Sequence, residues 1–426
     1  MRGLAGGPWG VETMRFGWQR VLSCVLACKA AYLGLLYAAL WAWPAFDVKQ
    51  FYVVMMHWPR SGGPLFASHF ATWDAAHYLF LTEVGYGPGA RSDAFYPLWP
   101  LLLRWCSTVA GGHVVAIGML LTNGLSAVAW VGFHRVSAAR FGESTANWAL
   151  AWLVLFPGSL FYQFIYSESV FFLLLMGLWY GLERRRYALA FVSALLLPLA
   201  RGVGLFCVLP IAWHLMMRWP PRALLRWAWV SRERGLTARE VTNGHRSNRS
   251  ESAPRRRLVA RVLSPWCLFV APLLGFGVYL VLMWSSTGNP FEGIEAQKYW
   301  DVHSIGNLWN LPKFVFGWFT PTDWHAFRGS GLDRVMFLVL VYTLPVIWRL
   351  GKDLLVWTYV LGVLPAMSGT FTSYTRFASC AFPIFIALAV FFEGRKLPWM
   401  KWALLTAFCV LHIGLLWRFV NFRWAG

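Results

Sequence analysis

An all-α, polytopic membrane protein is the fold class that this sequence predicts, and three observations carry the prediction. Hydrophobic residues make up 58% of the 426 residues, whereas charged residues make up only 13%. Soluble domains carry roughly 25% charged residues, so this chain cannot cover a surface that faces water. The 28 tryptophans are typical of membrane–water interfaces. Long apolar runs recur between clusters of arginine, which is how spans and their cytoplasmic ends are encoded.

The formal net charge of +20 is compatible with a nucleic-acid partner if it is considered alone. The arginines fall mostly between apolar runs, however, as positive-inside topology signals do. We therefore expect membrane lipids as partners and no nucleic acid. The seven cysteines include no C-x-x-C pair and their number is odd, so a complete disulfide framework is not expected.

The N-terminus, residues 1–20, is predicted to be cytoplasmic. Arg2, Arg15 and Arg20 precede the first apolar run, residues 21–44, and basic residues favour the cytoplasmic side. No cleavable signal peptide is evident, because this apolar run is long enough to span the bilayer.

Two large loops are expected on the non-cytoplasmic side, residues 45–96 and residues 285–331. Residues 97–111 are apolar but short and contain Arg104, so we interpret them as an interfacial or re-entrant helix. The aromatic stretch 305–320 within the second loop is also expected to lie in the membrane interface.

The other apolar runs complete a bundle of about eleven transmembrane helices. Their direction follows from the basic clusters that flank alternate runs. Residues 21–217 thus form a first transmembrane region, which we expect to be catalytic, and residues 262–426 form a second. The predicted spans after the first are 113–134, 146–164, 170–182, 187–200, 203–217, 262–284, 332–348, 353–370, 378–392 and 399–417.

Residues 218–261 separate the two regions and carry the clearest cytoplasmic signal in the sequence. This segment holds twelve arginines against Glu233, Glu240 and Glu251, and it is too polar to span a bilayer. The glycosylation sequon at Asn248 therefore falls inside and is expected to stay unmodified.

The predicted topology brings the unusual polar residues to one side of the membrane. Ionisable groups near the bilayer are costly unless they are paired or solvated, so they mark functional cavities. We therefore predict a single external site, although each residue could instead be a solvated loop residue. The residues are Asp74, His77, Tyr166 to Glu168, Arg201, Gln297, Lys298 and Tyr374 to Arg376.

The stretch "TWDAAHY", residues 72–78, contains the first candidates for chemistry. If it is helical, Asp74 and His77 are three residues apart and share a face. Asp74 could act as a general base on a hydroxyl or could cap the helix, and His77 could be a structural hydrogen-bond donor. The spacing of nearby histidines and acids matches no metal-binding template, so neither a metal nor another cofactor is expected.

The following stretch "EVGYGPGARSD", residues 83–93, contains three glycines and a proline and predicts a turn-rich loop. It lacks the G-K-[ST] ending of a phosphate loop. Arg91, Arg201 and Arg376 remain candidates for binding an anionic group, because a guanidinium matches the geometry of phosphate. Alternatively, Arg201 lies at a helix end and its side chain extends toward the membrane–water interface.

Several motifs together resemble the GPI mannosyltransferase 2 family, which consists of polytopic glycosyltransferases of the GT-C type. "WDAAHYLFLTEVGY" and "AFYPLWPLLLR" match the family pattern W-D-x-x-H-[FY], G-Y and A-F-[FY]-P-L-x-P. The resemblance covers most of residues 70–390. The further matching blocks, in chain order, are "FPGSLFYQFIYSESVFFLLLMG", "LARGVGL", "GNPFEGIEAQKYW" and "TSYTRFASCAFPIF".

The resemblance implies a GT-C-like bundle that transfers a hexose, most simply mannose, with inversion on the non-cytoplasmic face. The donor would be a polyprenyl-phosphate sugar, and the acceptor a lipid-linked or glycan hydroxyl. Asp74 corresponds to the acid of the family's W-D motif and is expected to be the general base. His77, Glu168 and Gln297 fall in matching blocks and are expected to bind substrate, and Arg201 and Arg376 to hold the donor phosphate.

The arginine- and tryptophan-rich composition predicts a bacterial member, located in the inner membrane and using undecaprenyl-phosphate mannose. In a eukaryote the membrane would be that of the endoplasmic reticulum. A transporter or flippase for a lipid-linked glycan is the alternative, and a non-catalytic assembly partner is a third. A transporter predicts ionisable residues deep within both halves, whereas here they stand at the outer ends of the predicted spans.

Overall fold

The computed structural model describes residues 14–43, 47–54, 56–218, 265–300, 304–393 and 398–426. Within these ranges the chain is helical and forms no β-strand, and a single isolated bridge pairs Asp323 with Ser330. The predicted cytoplasmic loop 218–261, with the sequon at Asn248, lies outside the described residues except for Arg218. Most of the predicted cytoplasmic N-terminus also lies outside them.

Eighteen α-helices are described. They are α1 (Met14–Ala42), α2 (Val48–Val53), α3 (Asp74–Glu83), α4 (Leu98–Val109), α5 (Val114–Phe141), α6 (Glu143–Leu155), α7 (Glu168–Glu183), α8 (Tyr187–Ala200), α9 (Val208–Arg218), α10 (Ala271–Thr287), α11 (Glu292–Glu295), α12 (Leu311–Phe319), α13 (Gly331–Leu350), α14 (Lys352–Thr358), α15 (Leu364–Gly369), α16 (Tyr374–Ala378), α17 (Pro383–Glu393) and α18 (Pro398–Val420).

Short helical turns connect many of them. A π-helical turn, Tyr359–Val363, joins α14 to α15. The 3₁₀ turns are Phe66–Phe70, Arg91–Ala94, Pro157–Tyr162, Gly202–Cys207, Cys267–Val270, Ala296–Tyr299 and Ile305–Trp309.

Five helices in the described part of the chain are long and apolar enough to cross a membrane, which supports a multi-pass membrane protein. They correspond to the predicted spans 21–44, 113–134, 262–284, 332–348 and 399–417. Their bounds are Gly17–Ala42, Val114–Phe141, Cys267–Thr287, Gly331–Leu350 and Pro398–Val420. The total of about eleven spans stays a prediction.

Small residues let the central helices approach closely, as they do in membrane bundles. A Cβ added at Gly181 of α7 would lie 2.8 Å from the Cβ of Ala190 of α8, and one at Gly275 of α10 would lie 1.9 Å from the carbonyl oxygen of Leu195. Large apolar side chains on α1 and α10, such as Trp41 and Trp284, are exposed, as expected of a surface that faces lipid.

The predicted span 146–164 is not one helix. α6 ends at Leu155 because Phe156 adopts an extended ψ of 136° before Pro157, a conformation that a following proline favours. The chain then continues as a 3₁₀ turn, and α7 begins only at Glu168. Similarly, the predicted spans 203–217 and 353–370 are each divided between a helical turn and α-helix.

A buried lysine from α1 stabilises this irregular segment. The Nζ of Lys29 donates hydrogen bonds to the carbonyl oxygen of Tyr162 at 3.3 Å, to Oε1 of Gln163 at 2.9 Å and to Oδ1 of Asn123 at 3.2 Å. It also lies 4.2 Å from the centroid of the Trp130 ring. Backbone groups inside a membrane protein need such internal partners.

The two predicted interfacial segments both form short helices. α4 has twelve residues, too few to cross a bilayer. It buries Trp99 and Leu103 on one side and exposes Trp105 and Val109 on the other. α12 likewise exposes aromatic side chains, so the structure gives both helices the amphipathic form of an interfacial helix.

Candidate active site

A cavity of about 890 Å³, within the usual size range of ligand sites, contains most of the predicted site residues. Its walls come from the start of α3, from residues 200–206 after α8, from the second predicted external loop and from residues 364–377. Asp74, Arg201 and Arg376 all line it, together with Gln297 of the loop. Residues from distant parts of the sequence therefore converge on one space.

Asp74 is the first residue of α3, and its side chain is 14% exposed toward the cavity. The preceding residue, Trp73, has a φ of 53°, which is rare for a bulky residue and costly unless the surroundings impose it. The indole Nε1 of Trp73 donates to the carbonyl oxygen of Arg423 at 3.1 Å. The Asp74 side chain makes no cap hydrogen bond at the start of α3, where Trp73 is the N-cap.

Instead, Asp74 belongs to a network of two acids and two arginines, which we call the carboxylate–guanidinium cluster. Arg376 donates from Nη1 to Oδ2 of Asp74 and from Nε to Oε1 of Glu168. Arg201 donates from Nη2 to the same Oε1 of Glu168 at 2.6 Å. Glu168 is fully buried, and a charge in that position requires such partners.

Aromatic rings enclose the two guanidinium groups. The Arg376 guanidinium lies 4.6 Å from the centroid of the Tyr166 ring, and that of Arg201 lies 4.7 Å from the centroid of the Phe377 ring. Cation–π contacts of this kind stabilise a charge that has lost part of its water. They also limit the positions that each guanidinium can take.

The backbone that carries Arg376 is strained. Thr370, Phe371 and Ser373 all have positive φ angles, of 47°, 68° and 56°, and such strain persists only where surrounding contacts impose it. Asp333, which is fully buried, provides one such contact. Its Oδ1 accepts hydrogen bonds from the Thr375 N–H at 2.7 Å and from the Thr375 hydroxyl at 2.5 Å.

Two glycines of the recognised motifs allow the cluster to close. A Cβ added at Gly158, in "FPGS", would lie 2.0 Å from the carbonyl oxygen of Thr375. A Cβ added at Gly202, directly after Arg201, would lie 2.2 Å from the hydroxyl of Tyr96. Glycine at these positions therefore permits the close approach that sets both arginines in place.

His77 does not line the cavity. It is buried, its Nδ1 lies 2.8 Å from the Ser92 hydroxyl, and its ring stacks on Phe95 at 4.9 Å. Burial, with a contribution from the nearby Arg91, lowers the pKa of His77 to about 3. A neutral imidazole in this position holds the first loop against α3, and the expected role of His77 in binding substrate stays a prediction.

Arg91 also lies away from the cavity wall. Its backbone carbonyl accepts from Nε1 of Trp300 at 3.3 Å, and its guanidinium lies 5.8 Å from the centroid of the Tyr299 ring. Gln297 does line the cavity, and its Nε2 donates to the carbonyl oxygen of Ala94 at 2.9 Å. It therefore joins the two loops.

The sequence did not single out Lys313, Asn307 or Asp333. Lys313 and Asn307 line the cavity, but they stand in the aromatic stretch that predicts an interfacial segment. Asp333 follows a turn at the start of a predicted span, where an acid is an ordinary helix-start residue. Its Ser330-Gly-Leu-Asp333 spacing, three residues from a serine N-cap, is typical of helix starts and indicates no function.

Within the described ranges, no three His, Cys, Asp or Glu side chains come together as a possible set of metal ligands. The chemistry that the described residues offer is that of a carboxylate held at the edge of a cavity beside two guanidinium groups. Such an arrangement suits proton abstraction from a hydroxyl and stabilisation of a phosphate.

A membrane protein with this helical bundle and this site has the features of a glycosyltransferase, and the comparison with protein families supports that class. Residues 63–219 match the model of the family described as Mannosyltransferase (PIG-V). Over the part of the chain that it covers, the match agrees with the resemblance seen in the motifs and supports a glycosyltransferase of the mannosyltransferase type. It includes Asp74, Glu168 and Arg201 but ends before Arg376. No curated protein matches the sequence significantly.

Solved structures similar to this chain include those of the Archaeoglobus fulgidus oligosaccharyltransferase. Its complex with Zn and sulfate has a TM-score of 0.44 at 12% identity, with 94% of this chain and 53% of that chain covered. The apo form has a TM-score of 0.44 at 13% identity, with 98% and 57% covered. AglB in complex with an inhibitory peptide and a dolichol-phosphate has a TM-score of 0.41 at 12% identity, with 97% and 57% covered. This chain thus spans little more than half of that enzyme's length.

Proposed function

We propose that this protein transfers a hexose, most simply mannose, from a polyprenyl-phosphate sugar to a hydroxyl of a lipid-linked or glycan acceptor. One observation carries the proposal. Asp74, in the segment that matches the family, is directed into the cavity while the adjacent Glu168 is fully buried. The two carboxylates therefore differ in role: Asp74 can reach a substrate, and Glu168 holds the arginines.

Asp74 acts as the general base in this proposal. The acceptor hydroxyl oxygen attacks the anomeric carbon, its proton passes to Asp74, and the bond from the anomeric carbon to the phosphate oxygen breaks with inversion. The polyprenyl phosphate leaves with the bonding electrons. Because Arg376 hydrogen-bonds to Asp74, it orients the carboxylate toward the cavity.

Arg201 and Arg376 also keep donors available for the phosphate. A guanidinium has five N–H groups, of which Arg201 uses one and Arg376 two in the carboxylate–guanidinium cluster. Donors fixed before the reaction stabilise charge as it develops on the leaving phosphate.

An apolar side of the same cavity supports a lipid-linked donor. Val203, Leu205 and Phe206 line it after α8, and Phe276 lines it from α10. These side chains offer a polyprenyl chain an apolar contact surface next to the polar cluster. A nucleotide sugar, which is polar along its whole length, would gain little from that surface.

Contacts at the two ends of the bundle support the proposed sidedness of the helices, which we propose to form about eleven spans in a GT-C-like arrangement. At the predicted external end, loop residues such as Gln297 share a cavity with Asp74. At the predicted cytoplasmic end, Arg140 pairs with Glu183 and Asp353. We place the active site on the non-cytoplasmic face of a bacterial inner membrane, with undecaprenyl-phosphate mannose as donor.

The Asp74→Asn variant tests the proposal. Asparagine keeps the shape of the side chain but cannot accept the proton, so transfer from polyprenyl-phosphate mannose should fall about 10²- to 10⁴-fold. The measurement is transfer of radiolabelled mannose by purified protein in nanodiscs, with thermal unfolding as the control for folding. Transfer at the wild-type rate would rule out Asp74 as the base.

A further inference from the structure

The charges of the cavity do not favour an anion at the carboxylate–guanidinium cluster alone. Asp74 and Glu168 together neutralise Arg201 and Arg376. An anion that approaches such a cluster is attracted by two guanidinium groups and repelled by two carboxylates at similar distances. The arginines can donate hydrogen bonds, but the net positive charge for binding a phosphate must come from elsewhere.

Two lysines on the second loop line the same cavity. Lys298 follows Gln297, and Lys313 lies in the first turn of α12. Among the described residues, neither makes an ion pair: Lys313 donates from Nζ to the Asn307 amide oxygen at 2.9 Å, and Lys298 lies 5.3 Å from the centroid of the Tyr299 ring. Of the acids in the described part of this loop, Glu295 lines the same wall, where its Oε2 accepts from the Asn289 amide.

The position of Lys313 is unfavourable for the helix itself. A cation in the first turn meets the positive end of the helix dipole, and the backbone N–H of Lys313 is itself capped by the Asn310 side chain at 3.0 Å. Asn307, which accepts from Lys313, donates to the carbonyl oxygen of Ser368 at 2.6 Å. These contacts hold the ammonium group at the cavity wall, where an anion would relieve its repulsion from the helix start.

We propose that Lys298 and Lys313 supply the positive charge that binds the phosphate of the lipid donor, an inference that rests on the proposed function. Among the described residues of the cavity and the cluster, four cations face three carboxylates, which are Asp74, Glu168 and Glu295, so one excess positive charge remains. A polyprenyl-phosphate sugar is a phosphodiester with one negative charge, so its binding balances the cavity. When the bond to the sugar breaks, the phosphate gains a second negative charge and the lysines stabilise it.

The test compares Lys298→Gln and Lys313→Gln with the control Lys49→Gln on α2, which does not line the cavity. The ligands are a short-chain polyprenyl phosphate and the corresponding uncharged polyprenyl alcohol, titrated into purified protein in nanodiscs. Each cavity variant should bind the phosphate about tenfold more weakly, as expected for one lost charge contact, and should bind the alcohol as the wild type does. Lys313→Arg should restore binding, and added salt should reduce the difference.

The outcomes separate this inference from the proposed function. Wild-type affinity of both glutamine variants for the phosphate would overturn the role of the lysines and leave the proposed donor intact. Equal affinity of the wild-type protein for the phosphate and the alcohol would contradict the proposed donor itself. Binding of the alcohol also shows that a variant is folded, so a loss of phosphate binding is not mistaken for unfolding.

Discussion

Each end of the bundle contains an arginine that pairs with two acids. The two groups differ in how far their side chains are buried and in the backbone that carries the arginine. At the predicted cytoplasmic end, Arg140 pairs with Glu183 at 2.7 Å and with Asp353 at 2.5 Å, and the three side chains are 24%, 37% and 33% exposed. At the other end, Arg376 pairs with Asp74 and Glu168, and the side chains are 7%, 14% and 0% exposed.

The backbone differs as well. Arg140 lies in the long regular helix α5, whereas Arg376 follows three residues with positive φ. The exposed group connects helix ends that water already solvates, and such pairs contribute little to stability. The buried group keeps its charges at a free-energy cost beside a cavity. Ion pairing alone therefore does not mark a site; burial, backbone strain and an adjacent cavity together do.

The largest effect should come from Glu168→Gln. Removal of this charge leaves Arg201 and Arg376 buried with one carboxylate between them, which should reduce the free energy of unfolding by about 3–5 kcal/mol. Since Arg376 also positions Asp74, sugar transfer should fall by about 10² or more. Thermal unfolding and transfer assays on the same preparation measure the two effects. If Glu168→Gln changes the free energy of unfolding and sugar transfer as little as a surface substitution does, the proposed difference between the two ends of the bundle is wrong.

Asp333→Asn should have the next largest effect, and it should act by displacing the segment that carries Arg376. The substitution weakens the two hydrogen bonds that Asp333 accepts from Thr375 and lets the strained segment before Arg376 shift. We expect kcat to fall about tenfold while KM for the donor changes little, since a small misplacement affects the transition state most. A proportional rise in KM, or a loss of folded protein with normal kcat, would contradict a positioning role. Thr375→Ser, which keeps both donors, is the matched control.

Asp93 tests whether a buried acid that has no ion pair among the described residues makes the stability of the protein depend on pH. Burial raises the pKa of Asp93, in the loop before α4, to about 7. A raised folded-state pKa means that Asp93 contributes stability below its unfolded-state pKa of about 4, and that this is lost as pH rises through 7. The Asp93→Asn variant should therefore gain in melting temperature relative to wild type between pH 5 and pH 8. A difference that does not depend on pH would show that Asp93 is ionised throughout.

The smallest effect should come from Glu183→Gln at the predicted cytoplasmic end. Because this pair is partly exposed, its loss should change the free energy of unfolding by about 0.5 kcal/mol or less and leave transfer unchanged. This variant is the matched partner of Glu168→Gln, since both remove one acid from a shared arginine. A loss of transfer here would indicate that the two ends are coupled.

The sequence predicted the class of fold and much of the candidate site for a physical reason. Apolar runs of sufficient length are helical in a bilayer, so α1, α5, α10, α13 and α18 follow from composition. Basic clusters then determine which ends share a side. That reasoning brought Asp74, Glu168, Arg201 and Arg376 to one face, and in the structure they are in contact.

The sequence could not predict which side chains contact each other in the folded protein. Arg376 meets Asp74 from 302 positions away, and no local pattern specifies such a contact. The spacing of Asp74 and His77 predicts neighbouring positions on a helix but not what covers them, and Ser92 and Phe95 cover His77. Lys313 was overlooked because the aromatic residues around it dominate the stretch.

Lys29 has a consequence for how this protein is made. Its partners Asn123, Tyr162 and Gln163 follow it by 94, 133 and 134 residues, so α1 enters the membrane well before they are synthesised. Until then the lysine lies within an otherwise apolar helix, at a cost of about 3 kcal/mol near the bilayer centre. The hydrogen bonds of Lys29 can therefore form only after the turn that precedes Glu168 has been synthesised, which links the packing of the first helix to the folding of the candidate site.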